Sequence, residues 1–144
     1  MVSSSSNGAA WEKFPPSAFD VVTGYFPEKK PRKGGPMCRP LLVLTVRENK
    51  DRGLFACRVA YGTSNVKASS RRYSDLVIQN LSCMNQMGLK NPTRFVLHPK
   101  SNLIWLPWTE KYFCTWSGMS GPRIGSTPIN VQKDAAWILA VSEE

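Results

Sequence analysis

The sequence lacks several features that would assign it to a well-defined class. It has a single histidine, His98, and its four cysteines lie at least 19 residues apart. The close-spaced ligand pairs of a structural zinc site are therefore missing. No segment approaches the roughly 18 consecutive apolar residues of a membrane span, and residues 1–10 lack the basic start and apolar core of a signal peptide. We expect a cytoplasmic protein with no metal, no cofactor and no membrane partner.

Acidic residues are also scarce in the central part of the chain. From Lys29 to Lys100 there are fifteen Lys and Arg but three acidic residues, while the net charge of all 144 residues is +9. Such a balance favours a polyanionic partner, either nucleic acid or an acidic protein tail. A basic surface that serves only solubility is the alternative.

Strands predominate among the predicted elements. Short runs rich in β-branched and aromatic residues alternate with glycine- or proline-rich breaks and predict strands at 19–26, 41–46, 54–61, 75–79, 93–97 and 103–106. A short helix is predicted at 81–89, ended by Gly88, and a C-terminal helix follows Asn130 as its N-cap. We therefore predict a mainly β protein, a small bent antiparallel sheet or partly open barrel with peripheral helices. Residues 1–18 are predicted as a flexible tail and lead-in, and 19–144 as one domain with an extension from about 114.

Two apolar runs and the polar residues at their ends carry the functional argument. Cys38-Arg39-Pro40 opens the run 41–46, and the run 54–61 ends in Gly62-Thr63-Ser64. If the two runs form a hairpin, the guanidinium of Arg39 and the hydroxyls of Thr63 and Ser64 come together. Arginine presents a fixed fork of donors that suits phosphate oxygens, so the arrangement suits a phosphodiester. Thr63 and Ser64 also fit a simpler role as turn hydroxyls that satisfy local backbone groups.

With these residues in place, the sequence resembles the PemK/MazF family of toxin endoribonucleases. The matching pieces are Asp20-Val21-Val22, a Gly/Pro/basic loop, the Arg39–Leu44 element, and the second strand ending in Thr63-Ser64. The resemblance runs from about Phe19 to Phe113. It implies an SH3-like, CcdB-type barrel, a homodimer, and metal-independent cleavage of single-stranded RNA by 2′-hydroxyl attack on the adjacent phosphate. It also implies a small acidic antitoxin protein as partner.

The resemblance implies roles for individual residues. Arg39 and Thr63 are its catalytic candidates, Arg39 for the charge on the pentavalent phosphorane and Thr63 for the scissile phosphate or a proton relay. We predict that further cationic and hydroxyl residues bind RNA phosphates: Lys29, Lys30, Arg32, Lys33, Ser64, Arg71 and Arg72.

Two further hypotheses remain open at this stage. Phe19 stands before Asp20 where the family commonly has glycine, and Cys38 precedes the arginine, so a catalytically silent nucleic-acid-binding module of the same fold is one alternative. The other is an SH3-like protein-interaction module whose aromatic residues form a peptide groove. Binding that hardly depends on salt would favour the latter, since phosphate contacts make affinity strongly salt-dependent.

Overall fold

The computed structural model describes residues 14–27, 37–66, 75–97 and 102–142. Within these residues, seven strands and two helices follow one another in the order β1, β2, β3, β4, α1, β5, β6, β7, α2. Their bounds are β1 Asp20–Tyr25, β2 Cys38–Asn49, β3 Leu54–Thr63, β4 Asp75–Ile78, α1 Leu81–Met87, β5 Thr93–Val96, β6 Ile104–Pro107, β7 Arg123–Ser126 and α2 Ile129–Ser142.

The strands form one curled antiparallel sheet, a half-barrel with a helix at the C-terminal end. The pairing order is β4-β5-β3-β2-β1-β7, and β6 pairs with β3 as well. β3 therefore has two partners along one edge, β6 beside residues 56–59 and β5 beside Gly62 and Thr63. The prediction of a mainly β fold built on a bent antiparallel sheet with peripheral helices is confirmed. None of the helices among the described residues has the length and apolar character needed to cross a membrane.

The β2–β3 hairpin is the longest unit of the sheet. Leu41 pairs with Tyr61 and Asn49 with Leu54, and the register shifts between Val43 and Thr45. The turn contains Gly53 at a φ of 63°, a left-handed conformation that glycine adopts without steric cost. Both strands extend beyond the apolar runs from which they were predicted, because the backbone ladder continues through polar residues once two strands are in register.

Two apolar clusters lie on opposite faces of this sheet. The first is shared with the helices and includes Leu42, Ala60, Met87, Phe95 and Ala135. The second includes Leu41, Cys57, Val59, Trp108 and Phe113. Because successive side chains of a strand point to opposite faces, β2 and β3 supply both clusters and are buried on both sides over this part of their length.

The helix α1 begins at Leu81 and is ended by Gly88, as predicted, but it is two residues shorter than the predicted range 81–89. The side chain of Asn80 accepts from the backbone N–H groups of Ser82 and Cys83, and Gly88 follows the last turn at a φ of 73°. For α2, the prediction that Asn130 is the N-cap is wrong. The helix already begins at Ile129, and the carbonyl of Pro128 accepts from the N–H of Gln132 at 2.9 Å. The tertiary position of the helix thus overrides the preference of asparagine for a cap.

β7 is a strand that the sequence did not predict. It pairs antiparallel with β1, with Asp20 opposite Ser126, and the register shifts between Val21 and Val22. A Cβ at Gly125 would lie 2.4 Å from the carbonyl carbon of Met87, so the close packing of β7 on the end of α1 requires glycine there.

Candidate functional site

A groove of about 370 Å³ opens where β2 begins and β3 ends. We call it the Arg39 groove. Its walls come from these two strand ends, the turn after α1, the start of β5 and the segment that follows β6. The lining residues are Met37, Cys38, Arg39, Pro40, Gly62, Thr63, Ser64, Leu89, Lys90, Asn91, Thr93 and Trp116.

The hairpin register explains why Arg39 and Thr63 meet in this groove. Leu41 pairs with Tyr61 and Leu42 with Ala60. Continuing the same antiparallel pairing by two residues places Arg39 opposite Thr63. Gly62 supports the close approach of the strands at this point, since a Cβ there would lie 3.0 Å from the carbonyl oxygen of Pro40. The groove therefore brings Arg39, Thr63 and Ser64 together, and their chemical roles stay predictions.

Arg39 is held by the sheet and by an aromatic ring. Its backbone pairs with Gly24 of β1, and its guanidinium carbon lies 5.6 Å from the centroid of the Tyr61 ring. The side chain is half-buried. A guanidinium over an aromatic face keeps its charge and its N–H donors while its orientation is restricted. Such a group is suited to contact a phosphate that enters the groove.

The hydroxyl of Thr63 takes part in the turn that ends β3. Its Oγ1 accepts from the N–H of Asn65 at 3.2 Å, so it satisfies a local backbone group as the simpler interpretation requires. Accepting that bond leaves the hydroxyl hydrogen available to donate. Ser64 is exposed at the rim.

An ion pair fixes the chain just beyond Thr63. Arg94 of β5 pairs with Thr63 in the sheet and donates from Nη1 to Asp75 at 2.6 Å and from Nε to the carbonyl oxygen of Asn65 at 2.9 Å. Asp75 in turn accepts from the N–H of Leu97 at 3.3 Å. The side chains of Arg94 and Asp75 are 13% and 6% exposed. This ion pair, which was not predicted from the sequence, positions the residues at one side of the groove.

Three further lining residues, Lys90, Asn91 and Trp116, were not predicted from the sequence. The indole N–H of Trp116 donates to the carbonyl oxygen of Cys38 at 3.1 Å. The ammonium of Lys90 lies 4.9 Å from the centroid of the Trp116 ring. The one signal in the sequence is a lone tryptophan in the polar, glycine-containing stretch 115–121, where few apolar neighbours are available for a core position.

A disulfide bond joins Cys38 and Cys114 beside the groove, with a Cα–Cα distance of 6.1 Å. Cys38 directly precedes Arg39 in β2, and both cysteines are half-buried. The other two cysteines are free thiols. Cys57 is fully buried, and burial raises the pKa of its thiol to about 12.

Several predicted RNA-binding residues lie outside the described residues: Lys29, Lys30, Arg32, Lys33, Arg71 and Arg72. His98 lies outside them as well. The rings of Phe26 and Tyr61 pack on the second apolar cluster, with their centroids 4.8 Å apart.

The chemistry of the groove is cationic and polar. Of its lining residues, Arg39 and Lys90 are charged and both are positive, and the rest supply hydroxyl, amide, indole and apolar groups. Within the described ranges, no cluster of three or more His, Cys, Asp or Glu could hold a metal ion. Phosphate oxygens and a flat aromatic ring would both find partners in such a groove.

Comparison with models of known protein families finds no match for this chain, and comparison with curated proteins finds none either.

Proposed function

We propose that this protein is a metal-independent endoribonuclease that cleaves single-stranded RNA in the Arg39 groove. The observation that supports the proposal is that Arg39 and Thr63 line the same cationic groove. The two residues were selected from the sequence as a phosphate-binding pair, and the hairpin register gives a physical reason for their proximity.

In the proposed reaction, the ribose 2′-oxygen attacks the adjacent phosphorus and the bond from phosphorus to the 5′-oxygen breaks. The 2′-hydroxyl loses its proton and the leaving 5′-oxygen gains one, so the products are a 2′,3′-cyclic phosphate and a 5′-hydroxyl. Arg39 would stabilise the added negative charge of the phosphorane. Thr63, and Ser64 at the rim, would donate to phosphate oxygens.

One observation favours a second candidate, a nucleic-acid-binding module without catalysis. The described residues that line the groove include neither a carboxylate nor an imidazole, and these are the usual general bases at neutral pH. A threonine hydroxyl is a poor base by itself. In this candidate, the same cationic and aromatic groups bind RNA and leave it intact.

The remaining parts of the proposal concern the partners and the compartment. We propose that the protein is the toxin of a toxin–antitoxin pair, a homodimer inhibited by a small acidic antitoxin that competes for the basic surface. The net charge of +9 supports an acidic partner. We also propose a cytoplasmic location, where cellular thiols would have access to the Cys38–Cys114 bond.

The test is cleavage of an end-labelled, mixed-sequence single-stranded RNA in EDTA. We expect cuts at discrete sites with cyclic-phosphate ends, and a rate about 10²–10³-fold lower for Arg39→Ala, as for other lost donors to a transition-state anion. Thr63→Val removes the hydroxyl at similar shape and tests the second role. Arg47→Ala is the matched control, because Arg47 is an exposed arginine of the same strand, stacked on Trp105 away from the groove.

Each outcome distinguishes the candidates. Cleavage that Arg39→Ala abolishes and Arg47→Ala leaves intact supports the endoribonuclease. Folded wild-type protein that binds several RNAs with steep salt dependence and cuts none supports the binding module. Protein that neither binds nor cuts RNA refutes both.

A further inference from the structure

The segment from 115 to 121 forms a loop whose two ends meet at a buried threonine. We call it the Trp116 loop. The carbonyl oxygen of Thr23 accepts from the N–H of Cys114 at 3.1 Å, and the N–H of Thr23 donates to the carbonyl oxygen of Pro122 at 2.8 Å. The Thr23 hydroxyl donates to the carbonyl oxygen of Cys114 at 2.6 Å. The ends of the loop are therefore fixed to β1 by hydrogen bonds that do not involve the disulfide.

The Trp116 loop is also connected to the groove through Cys38. The disulfide joins Cys38 to Cys114, two residues before Trp116. The indole N–H of Trp116 donates to the carbonyl oxygen of the same Cys38. Most of the other loop residues, Thr115 and 117–120, are exposed. The disulfide and one hydrogen bond thus connect the position of the indole to the start of β2, where Arg39 lies.

Trp116 has the properties of a stacking surface for a nucleobase. Its ring is half-buried and lines the Arg39 groove, and Lys90 lies 4.9 Å from the ring centroid. Single-stranded nucleic acids are recognised by aromatic rings that stack on bases next to cations that contact the backbone. Arg39 and Lys90, which line the same groove, supply such cations.

We propose that Trp116 forms a nucleobase subsite of the Arg39 groove, and that the Cys38–Cys114 disulfide holds this subsite in its binding position. Reduction of the disulfide then weakens RNA binding. The inference rests on the proposed function of the groove, since it names the ligand group that Trp116 contacts and a chemical signal that regulates the contact.

The redox step needs a dithiol as reductant. One thiolate of the dithiol attacks a sulfur of the Cys38–Cys114 bond, which forms a mixed disulfide and releases the other cysteine as a thiolate that takes up a proton. The second thiol of the reductant then displaces the remaining cysteine. Two electrons and two protons pass to Cys38 and Cys114, and the reductant leaves as its own disulfide.

Reduction is expected to loosen the loop without unfolding the sheet. The hydrogen bonds of Thr23 still fix both loop ends, whereas a single hydrogen bond to Cys38 remains for the indole. Trp116 then occupies other positions for part of the time, and the groove loses a preorganised stacking surface. We expect affinity to fall about tenfold, within the range for loss of one base–aromatic stack.

The experiment measures binding of a fluorescent 2′-O-methyl oligonucleotide, which cannot be cleaved, by anisotropy before and after treatment with dithiothreitol. Hydrogen exchange of the loop amides is followed in the same samples without oligonucleotide. Cys83→Ser is the matched control, because it removes a thiol outside the disulfide and should keep the full redox response. Trp116→Ala should show the reduced affinity already when oxidised and respond little to reductant, and Trp116→Phe should keep most of the affinity.

Weaker binding and faster loop exchange of the wild type on reduction, together with a Trp116→Ala affinity that responds little to reductant, support the proposal. Binding that is unchanged by complete reduction, as counted by alkylated thiols, overturns it while the proposed function stands. Oxidised wild type that neither binds nor cuts RNA refutes the proposed function and the subsite together. A folded Cys38→Ser/Cys114→Ser variant must bind the oligonucleotide as weakly as the reduced wild type does. If that variant binds as tightly as the oxidised wild type, the proposal is also overturned.

Discussion

Replacing the buried Thr23 with valine would test how the two ends of the Trp116 loop are fixed. The Thr23 residue is fully buried, and its hydroxyl donates to the carbonyl oxygen of Cys114 at 2.6 Å, with a longer approach of 3.3 Å to that of Pro122. Valine has nearly the same shape, so Thr23→Val removes the donor without opening a cavity. We expect the free energy of unfolding to fall by about 1–3 kcal/mol, the cost of leaving a buried polar group without its partner.

For a chain of 144 residues, each kcal/mol lowers Tm by about 2–4 °C, so the expected decrease is about 2–12 °C. Urea titration and differential scanning calorimetry of the oxidised protein measure both quantities. Thr23→Ser is the matched variant, because it keeps the hydroxyl and loses one buried methyl group. If Thr23→Val were as stable as wild type within about 0.5 kcal/mol, the scale of ordinary surface substitutions, the loop would be held by other contacts and the reasoning would be refuted.

Two further predictions concern the groove and the core. Gly62→Ala places a Cβ 2.8 Å from Thr93 and 3.0 Å from the Pro40 carbonyl oxygen, so we expect calorimetry to show a loss of about 1–3 kcal/mol, and an unchanged Tm would contradict the close strand approach. Burial raises the Cys57 pKa from 9.0 to about 12, so the folded state keeps a proton that the unfolded chain releases. The free energy of unfolding should therefore fall by up to about 1.4 kcal/mol per pH unit as pH rises from 9 towards 12. Urea titrations of a Cys57→Ala variant over this pH range should lack this contribution. The same pH dependence in wild type and variant would be evidence against it.

The parts of the fold that depend on neighbouring residues could be predicted from the sequence. The β2–β3 hairpin follows from two apolar runs with a charged turn between them, and the end of α1 follows from Gly88. The meeting of Arg39 and Thr63 followed from the hairpin, because a short turn leaves few registers for two strands.

Features that depend on distant residues could not be predicted. β7 has four residues, one of them Gly125, and its partner β1 lies about 100 residues earlier, so neither composition nor alternation identifies it. The pairing of Cys38 with Cys114 follows from the same long-range closure, since spacing cannot choose among the possible connectivities of four cysteines. The disulfide brings the segment that contains Trp116 next to Cys38 and the groove, and no local sequence pattern predicts this position.

The distribution of strand lengths has a consequence for how other chains can attach to this sheet. The two longest strands, β2 and β3, are paired on both sides, while the pairing order ends in β4 and β7, which have four residues each. Within the described residues, an added strand would find a short row of backbone donors and acceptors at β4 and β7, and likewise at β6, a strand of four residues that pairs with β3. Short edges of this kind protect native sheets from edge-to-edge aggregation and give little affinity for a partner that binds by β-strand addition. Recognition by this protein is therefore expected to depend on side chains, and a partner peptide designed to extend the sheet should bind weakly.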